Sequence, residues 1–529
     1  MPHRLRLLLL PLLAGLTLLL TAPATSQPVV FTHGVASGDV TPASAVLWTR
    51  LDQEADLAVR VSTSPLFPPA STQLFAAHAS PDDDFTAKVL AAPLLPGRTY
   101  FYRWHHGRSP SEAGSFRTPP LPSAERSLRF AFTGDSDGTL VDGQPPFNSF
   151  ESLDAARAER LDFWVYLGDT IYSDSSHRPG GPADTLEEYR DAYKWNRSYE
   201  ALRDLMAATS TYAMWDDHEV RNDYDGQTVE AETPGRYGMG REAFLEYMPM
   251  GAGPLHDPTC AGDPLFRVFH WGALADLIVP DERSCRSADA EDACLLPIGL
   301  PDLVPTAPPA LRQALRNVLP AALRDLILPL SPPAGCLDAI NDPSRTMLGA
   351  VQKEAFKQAL LSSDARFKFI VNELPIQQFY ALSYDRWEGY AAERAELLDF
   401  IRDEDIDNVV FLTTDIHANL INEVSIDRFS DPAPIADEFV TGPIATNSFE
   451  AEVRSFFGGG LFGDLAVAII QQLFTVGGVD CRDLDAYSYG VVEVNALTDT
   501  ATVTLKDDTG APLHDQLDPS KVCRKTFGP

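Results

Sequence analysis

The sequence predicts an α/β protein preceded by an all-β region, and three observations carry that expectation. First, four stretches run from apolar residues into an acid or an imidazole: Phe130–Asp135, Phe163–Tyr172, Tyr212–Glu219 and Val409–His417. An apolar run without alternation reads as a strand buried on both faces. A polar residue at its carboxyl end points into the crevice where α/β folds place ligands. Second, from Leu128 onward such strands alternate with helical patterns, the signature of an α/β layer. Third, between Val29 and about Pro120 the chain holds short β-rich runs, among them Ala45–Thr49, Leu57–Val61 and Thr99–Trp104, separated by Gly, Pro, Ser and Asp at the spacing of a β-sandwich.

Taken in order, residues 1–26 read as a signal peptide: Arg4 and Arg6, an apolar stretch from Leu7 to Leu20, then Ala22-Pro23-Ala24 as a small-residue cleavage site. The apolar stretch falls short of the roughly 20 residues a spanning helix needs, so no transmembrane segment is expected after cleavage. Residues 27–120 form the expected sandwich, with a turn at Leu95-Pro96-Gly97 and a stiff linker at Thr118–Ser123. Residues 121–529 form the expected catalytic domain. Helices are expected at Glu151–Glu159, Thr185–Ala208, Gln352–Leu361 and Ala391–Ile401. An irregular, Pro- and Cys-rich segment spans about His256 to Ser344 and contains an apolar-basic helix at Ala310–Leu328. A helix at Leu465–Phe474 follows a Gly-rich turn, and strands return at Ser488–Val494 and Ala501–Leu505. Both apolar helices read as packed elements, with a lipid-facing surface as the alternative.

Composition narrows the function. The chain has 529 residues, 75 acidic against 42 basic, and a net charge of -33. A nucleic-acid binder that reads the phosphate backbone needs the opposite balance. The six cysteines all lie after residue 26. An even count in an exported chain favours disulfides, and no Cys/His spacing suits structural zinc. Six cysteines allow fifteen pairings; Cys481 with Cys523 is one expected pair, the other four lying among the mid-chain loops.

The strand-end residues suit a two-metal phosphoesterase, which needs a bridging carboxylate flanked by hard oxygen and imidazole ligands. Asp169 suits the bridge and Asp135 a terminal position on the first metal. A Tyr172 phenolate favours a hard trivalent ion such as Fe(III). Asp217 suits the second metal, and Asp415 and His417, alternate residues on one strand-to-loop extension, are expected to face the pair together. His218, next to a ligand, is placed to protonate a leaving oxygen or to stabilise phosphoryl charge.

Phe132–Asp135, Gly168-Asp169-Thr170-Ile171-Tyr172, Trp215–Asn222 and Asp415-Ile416-His417 resemble the blocks of the PhoD-like alkaline phosphatase/phosphodiesterase family. His33–Val40 and Val46–Arg50 resemble that family's N-terminal sandwich, and Thr346–Gly349 and Trp387–Tyr390 its later blocks. The resemblance implies a four-layer αββα catalytic domain and a small phosphate mono- or diester as substrate. It implies a ferric ion with a divalent partner such as calcium: the first ion on Asp135, Asp169, Tyr172 and His417, the second on Asp169, Asp217 and Asp415. It makes Asn222 a further ligand or substrate contact, and places Arg283–Arg286 where the family grips phosphate, with Arg286 as the gripping residue. Two departures stand out. Typical members carry a ligand Cys in the first block, where this chain has Gly134-Asp135-Ser136, and they commonly use twin-arginine export, whereas Arg4-Leu5-Arg6 is no such pair. The expected product is thus a periplasmic or secreted metallophosphoesterase. A phospholipase D-like enzyme whose helices near Leu328 and Phe474 touch lipid is an alternative, as is a surface binding module with a vestigial metal site.

Overall fold

The computed structural model describes residues 29–319, 321–381 and 383–528. The expected signal peptide lies outside them. Three sheets organise the chain. In the nine-stranded sheet, strands Leu128–Thr133, Phe163–Leu167 and Ser210–Met214 run parallel side by side, with Phe132 opposite Val165 and Tyr212 opposite Val165 on the other edge. In the seven-stranded sheet, Phe367–Val371, Val409–Thr413 and Ala436–Val440 are likewise parallel.

The two large sheets pack face to face, and the strand sequences show why. Phe163, Val165 and Leu167 point into a core shared with Phe369 and Leu412 of the opposing sheet, while the intervening Trp164 and Tyr166 point the other way, under helices. Both faces of such a strand are buried, hence its unbroken apolar run. Aromatic contacts bridge the sheets: Phe130 meets Phe369 edge-on at 5.2 Å, and Phe163 lies 4.6 Å from Trp271. Helices Glu151–Ala158, Leu186–Asn196, Glu200–Ala208 and Arg236–Tyr247 cover the outer face of the first sheet. Ala350–Ser362 and Ala391–Asp403 cover that of the second. The result is helix, sheet, sheet, helix, the expected four layers.

The N-terminal strands are divided between sheets. Thr72–Ala79, Ala55–Ser62, Thr99–His106 and Ser109–Arg117 form a four-stranded sheet of their own. Phe31–Gly38, Ala45–Leu51 and Thr86–Ala91 instead extend the nine-stranded sheet, joined through a parallel step at which Gly38 pairs with Thr211. Gly38 is needed there: a Cβ would sit 2.4 Å from the Pro249 carbonyl oxygen and 2.5 Å from that of Thr211.

Two expected helices are each broken in two. Thr185 caps Leu186–Asn196 with a full capping box, but the chain turns after Asn196 and restarts at Glu200. Asn196 is drawn inward: its amide donates to the carbonyls of Ser136 (2.7 Å) and Thr170 (2.8 Å), and its Oδ1 accepts from Gly138 (2.9 Å). The apolar-basic stretch forms two helices, Pro309–Val318 and Ala321–Ile327, in place of one. Leu328 and Phe474, on the helices expected to pack, are core residues; Leu328 packs with Tyr380 and Leu473, and Phe474 with Phe379. Exposed apolar residues do flank them: Leu326 and Leu330 beside Leu328, and Phe456, Leu461 and Phe462 where helix Phe449–Phe456 turns into Gly460–Gly477. Among the described residues, Gly460–Gly477 is the one helix long and apolar enough to cross a membrane, and a third of it is buried in the protein. Disulfides join Cys260–Cys285, Cys294–Cys336 and Cys481–Cys523, so the expected C-terminal pair forms.

Candidate active site

Four loops converge where strands 128–133, 163–167, 210–214 and 409–413 end. Their main chains are tied to one another: the Ser136 N–H donates to the Asp169 carbonyl (2.9 Å), and Ile444 and Ala445 donate to Gly134 and Asp135 (2.9 and 3.0 Å). Glu219 clamps two of the loops, accepting from the Thr170 N–H and hydroxyl on one oxygen and from the Asp216 N–H on the other. Gly168 (φ 87°) lets these loops close, because a Cβ would meet that of Asp216 at 2.7 Å.

The backbone is strained where the functional side chains emerge. Asp135, Asp169, Asp415 and His417 all take positive φ, between 44° and 70°. Such left-handed turns cost non-glycine residues free energy and cluster at functional sites. They also replace the expected strand extension at Asp415 and His417. The strand stops at Thr413, and two left-handed residues, not strand alternation, aim the side chains.

These turns bring donor atoms into two groups that share one member. Oxygen or nitrogen atoms of Asp135, Asp169 and His417 lie within 4.8 Å of one another, as do those of Asp169, Asp217 and His218. Tyr172 joins the first group, its hydroxyl 2.8 Å from His417 Nε2. Asp415 belongs to neither group; it lies 3.8 Å from the Arg283 guanidinium, which also reaches Asp217 (3.6 Å). Asp169, Tyr172, Asp217, His218, Asn222, Asp415 and His417 all line one cleft of about 320 Å³. Asp135 does not line the cleft and is fully buried; Thr414 donates to one of its carboxylate oxygens and the other is left without a partner.

Arg286 does not line this cleft. It is fully buried, and its guanidinium hydrogen-bonds Asp385 and the Tyr390 hydroxyl (3.2 Å). The neighbouring Arg283 holds Asp216 at 2.6 Å and Asp385 at 2.9 Å. The pair of arginines thus braces the acids behind the cleft.

Three supporting carboxylates had no signal in the sequence. Asp174 accepts from His218 Nδ1 at 2.5 Å and from the Asn222 N–H at 2.7 Å. Glu452, from helix Phe449–Phe456, pairs with His417 Nδ1 at 3.0 Å. Asp223, whose N–H bonds Asp217, accepts from the Asn222 side chain (2.6 Å). Asp174 and Glu452 lie far along the chain from the imidazoles they orient, and only folding joins them.

The electrostatics call for cations. Burial raises Asp169 well above the usual carboxylate range, and Asp217, Asp216, Glu219 and Asp135 raise it further. Burial likewise raises Asp415, with Asp216 and Asp385 adding to the effect, and Asp135. Tyr172 is raised by burial and then by Asp169 and Asp135. For His218, burial opposes the charge, but Asp217 and Asp174 outweigh it and push the ring up to about 10. Buried acids held this close are costly without compensation, and a bound cation reverses that logic. All-oxygen-and-imidazole donors, one a buried carboxylate oxygen without a partner, suit hard or borderline metal ions.

The layered arrangement is a metallophosphatase-like fold. At 10% identity, a purple acid phosphatase from yellow lupin (Lupinus luteus) seeds aligns over 94% of this chain and 73% of its own, with a TM-score of 0.52, so that likeness is one of fold. The PhoD structure aligns over 94% of this chain and 90% of its own, with a TM-score of 0.71 at 23% identity. The PhoD-like phosphatase model matches residues 142–495, and the PhoD-like phosphatase N-terminal domain matches residues 19–120. Alkaline phosphatase D of Bacillus subtilis (strain 168) is 28% identical over 469 residues, covering 80% of this chain and 71% of that one. The chain belongs to the PhoD-like phosphatase family and is a phosphoric ester hydrolase.

Proposed function

We propose that the protein is an exported, metal-dependent phosphoesterase that hydrolyses phosphate mono- or diesters in the cleft above Asp169. The observation that carries this is the sharing of Asp169 between two donor groups, the arrangement a bridged pair of cations requires. Asp135, Asp169, Tyr172 and His417 would hold the first ion; Asp169 and Asp217 would hold the second, with Asp415 completing it. When bound, such a pair polarises the phosphoryl oxygens and acidifies an attacking water; the resemblance suggests Fe(III) with Ca(II).

The chain's own residues orient the reaction. Asp174 holds His218 Nδ1, and the ring stacks on Tyr172 at 4.1 Å, which leaves Nε2 in the cleft, 4.0 Å from both Asp169 and Asp217. From there it can hydrogen-bond the phosphoryl group and give a proton to the departing alkoxide. Asn222, at the exposed edge, is placed to contact the ester. Arg286, being buried, braces Asp385 instead of gripping phosphate.

The test is turnover of p-nitrophenyl phosphate and bis(p-nitrophenyl) phosphate by the purified protein before and after exhaustive chelation. Activity should vanish on chelation and return with added metal; undiminished turnover by metal-free protein would refute the proposal. A lipid diester is a second reading, supported by Phe456, Leu461 and Phe462, which are exposed at the end of the helix whose Glu452 borders the cleft. Rates on a short-chain phosphatidylglycerol should then jump across its micelle threshold, whereas a smooth saturation curve would remove that reading.

A further inference from the structure

The cleft has a charge pattern that the candidate metal ligands do not account for. Seven carboxylates line it, and among the described lining residues there is no Lys or Arg. Asp169, Asp217 and Asp415 are assigned to cations. Asp174 and Glu452 are each paired with an imidazole. Asp223 is exposed and accepts from the Asn222 amide, whereas Asp137 is different. It is buried (3% exposed), and its hydrogen-bond donors are neutral: the Ser175 hydroxyl at 2.5 Å and the Thr139 N–H at 3.0 Å. Among the described residues no cationic side chain forms an ion pair with it.

An aromatic wall stands at the same end of the cleft. Phe147 and His177 both line it, packed edge to face with centroids 5.2 Å apart. The His177 N–H donates to the Ser175 hydroxyl (3.1 Å), the group that bonds Asp137. The Asp137 N–H is anchored on the Ala445 carbonyl (2.7 Å), next to Thr446, another lining residue. A buried carboxylate lacking a counter-charge, beside an aromatic face, attracts an organic cation by Coulomb and cation–π terms together. The same surface repels an ester that carries further negative charge.

Resting on the phosphoesterase reading, we propose that the Asp137–Phe147–His177 end of the cleft receives the alcohol portion of the substrate and selects esters whose alcohol carries a quaternary or primary ammonium group. The recognised class is a phosphate ester of a cationic amino alcohol. Nucleotides and other polyanionic esters are disfavoured by the absence of Lys and Arg among the described lining residues.

The experiment compares two probes with an uncleavable P–C bond and nearly equal shape: 2-(trimethylammonio)ethylphosphonate and 3,3-dimethylbutylphosphonate. Calorimetric titration of the metal-loaded protein should show the ammonium probe binding about tenfold more tightly. The ratio should shrink between 50 and 500 mM salt, as a charge interaction must. Asp137→Asn should bring the ratio below about 2. Should that variant fail to fold, Phe147→Leu should reduce it by removing the aromatic face. Equal binding of the two probes overturns the proposal, as does a preference unaffected by either substitution. Turnover of bis(p-nitrophenyl) phosphate, measured in parallel, keeps the two readings apart. Turnover with no ammonium preference removes this inference alone, and an ammonium preference without turnover removes the phosphoesterase reading and, with it, the assignment of the ammonium group to a substrate's alcohol.

Discussion

Replacing Asp169 with Asn keeps the shape of the side chain and removes one charge shared by both donor groups. Two consequences of opposite sign follow. In the metal-loaded protein each ion loses a charged ligand. If this forfeits about 4 kcal/mol of the several that metal polarisation contributes, kcat falls roughly 10³-fold. In the metal-free protein the same change is favourable. Asp169 is 2% exposed and faces Asp217, Asp216, Glu219 and Asp135, so an amide relieves desolvation and like-charge repulsion by about 1–3 kcal/mol. The assay is p-nitrophenyl ester hydrolysis at matched metal content, with thermal melts recorded with and without chelator. The variant should be nearly inactive, should bind less metal, and should melt above the wild type once both are stripped of metal. Activity within tenfold of wild type at equal metal loading would refute the bridging assignment. A metal-free variant that melts lower would refute the account of the electrostatics.

Two further outcomes rest on the same geometry. The metal-free protein should lose stability as pH rises from about 4 to 8. Burial is the first cause in each of two raised acids, with Glu219 pushed up to about 7 and Glu282 to about 8. An acid whose pKa is raised on folding favours the folded state below its unfolded value near 4, and that advantage disappears as pH passes the folded value. Melting temperatures across that range should fall for chelated protein and fall less with metal present; a flat or rising profile without metal contradicts this. Glu452→Gln should weaken metal binding by roughly 10- to 100-fold, the usual effect of losing a carboxylate that orients a ligand imidazole. Competition against a chromogenic chelator would measure it, and unchanged affinity would mean that Glu452 does not orient His417.

The polarity pattern of the chain determined much of this molecule. The unbroken runs Phe163–Leu167 and Val409–Thr413 could be satisfied only by strands buried on both faces, so the α/β layering and the position of acids at strand ends were legible from local order. Asp135, Asp169, Tyr172, Asp217 and His417 all stand within five residues of the end of such a strand, and that placement is what singled them out as candidates. The Cys481–Cys523 pair was also anticipated. Three things were decided only by the tertiary structure. Asp415 and His417 are aimed by left-handed turns, which side-chain alternation does not reveal. Arg286 looked like a phosphate contact from its place in the chain, yet packing buries it against Asp385 and Tyr390. Asp174 and Glu452 meet their imidazoles across 44 and 35 residues. The reason is physical: a hydrophobic period is a local property that any short window contains. The partner of a buried charge is chosen by where two sheets and their loops come to rest, and no local window contains that.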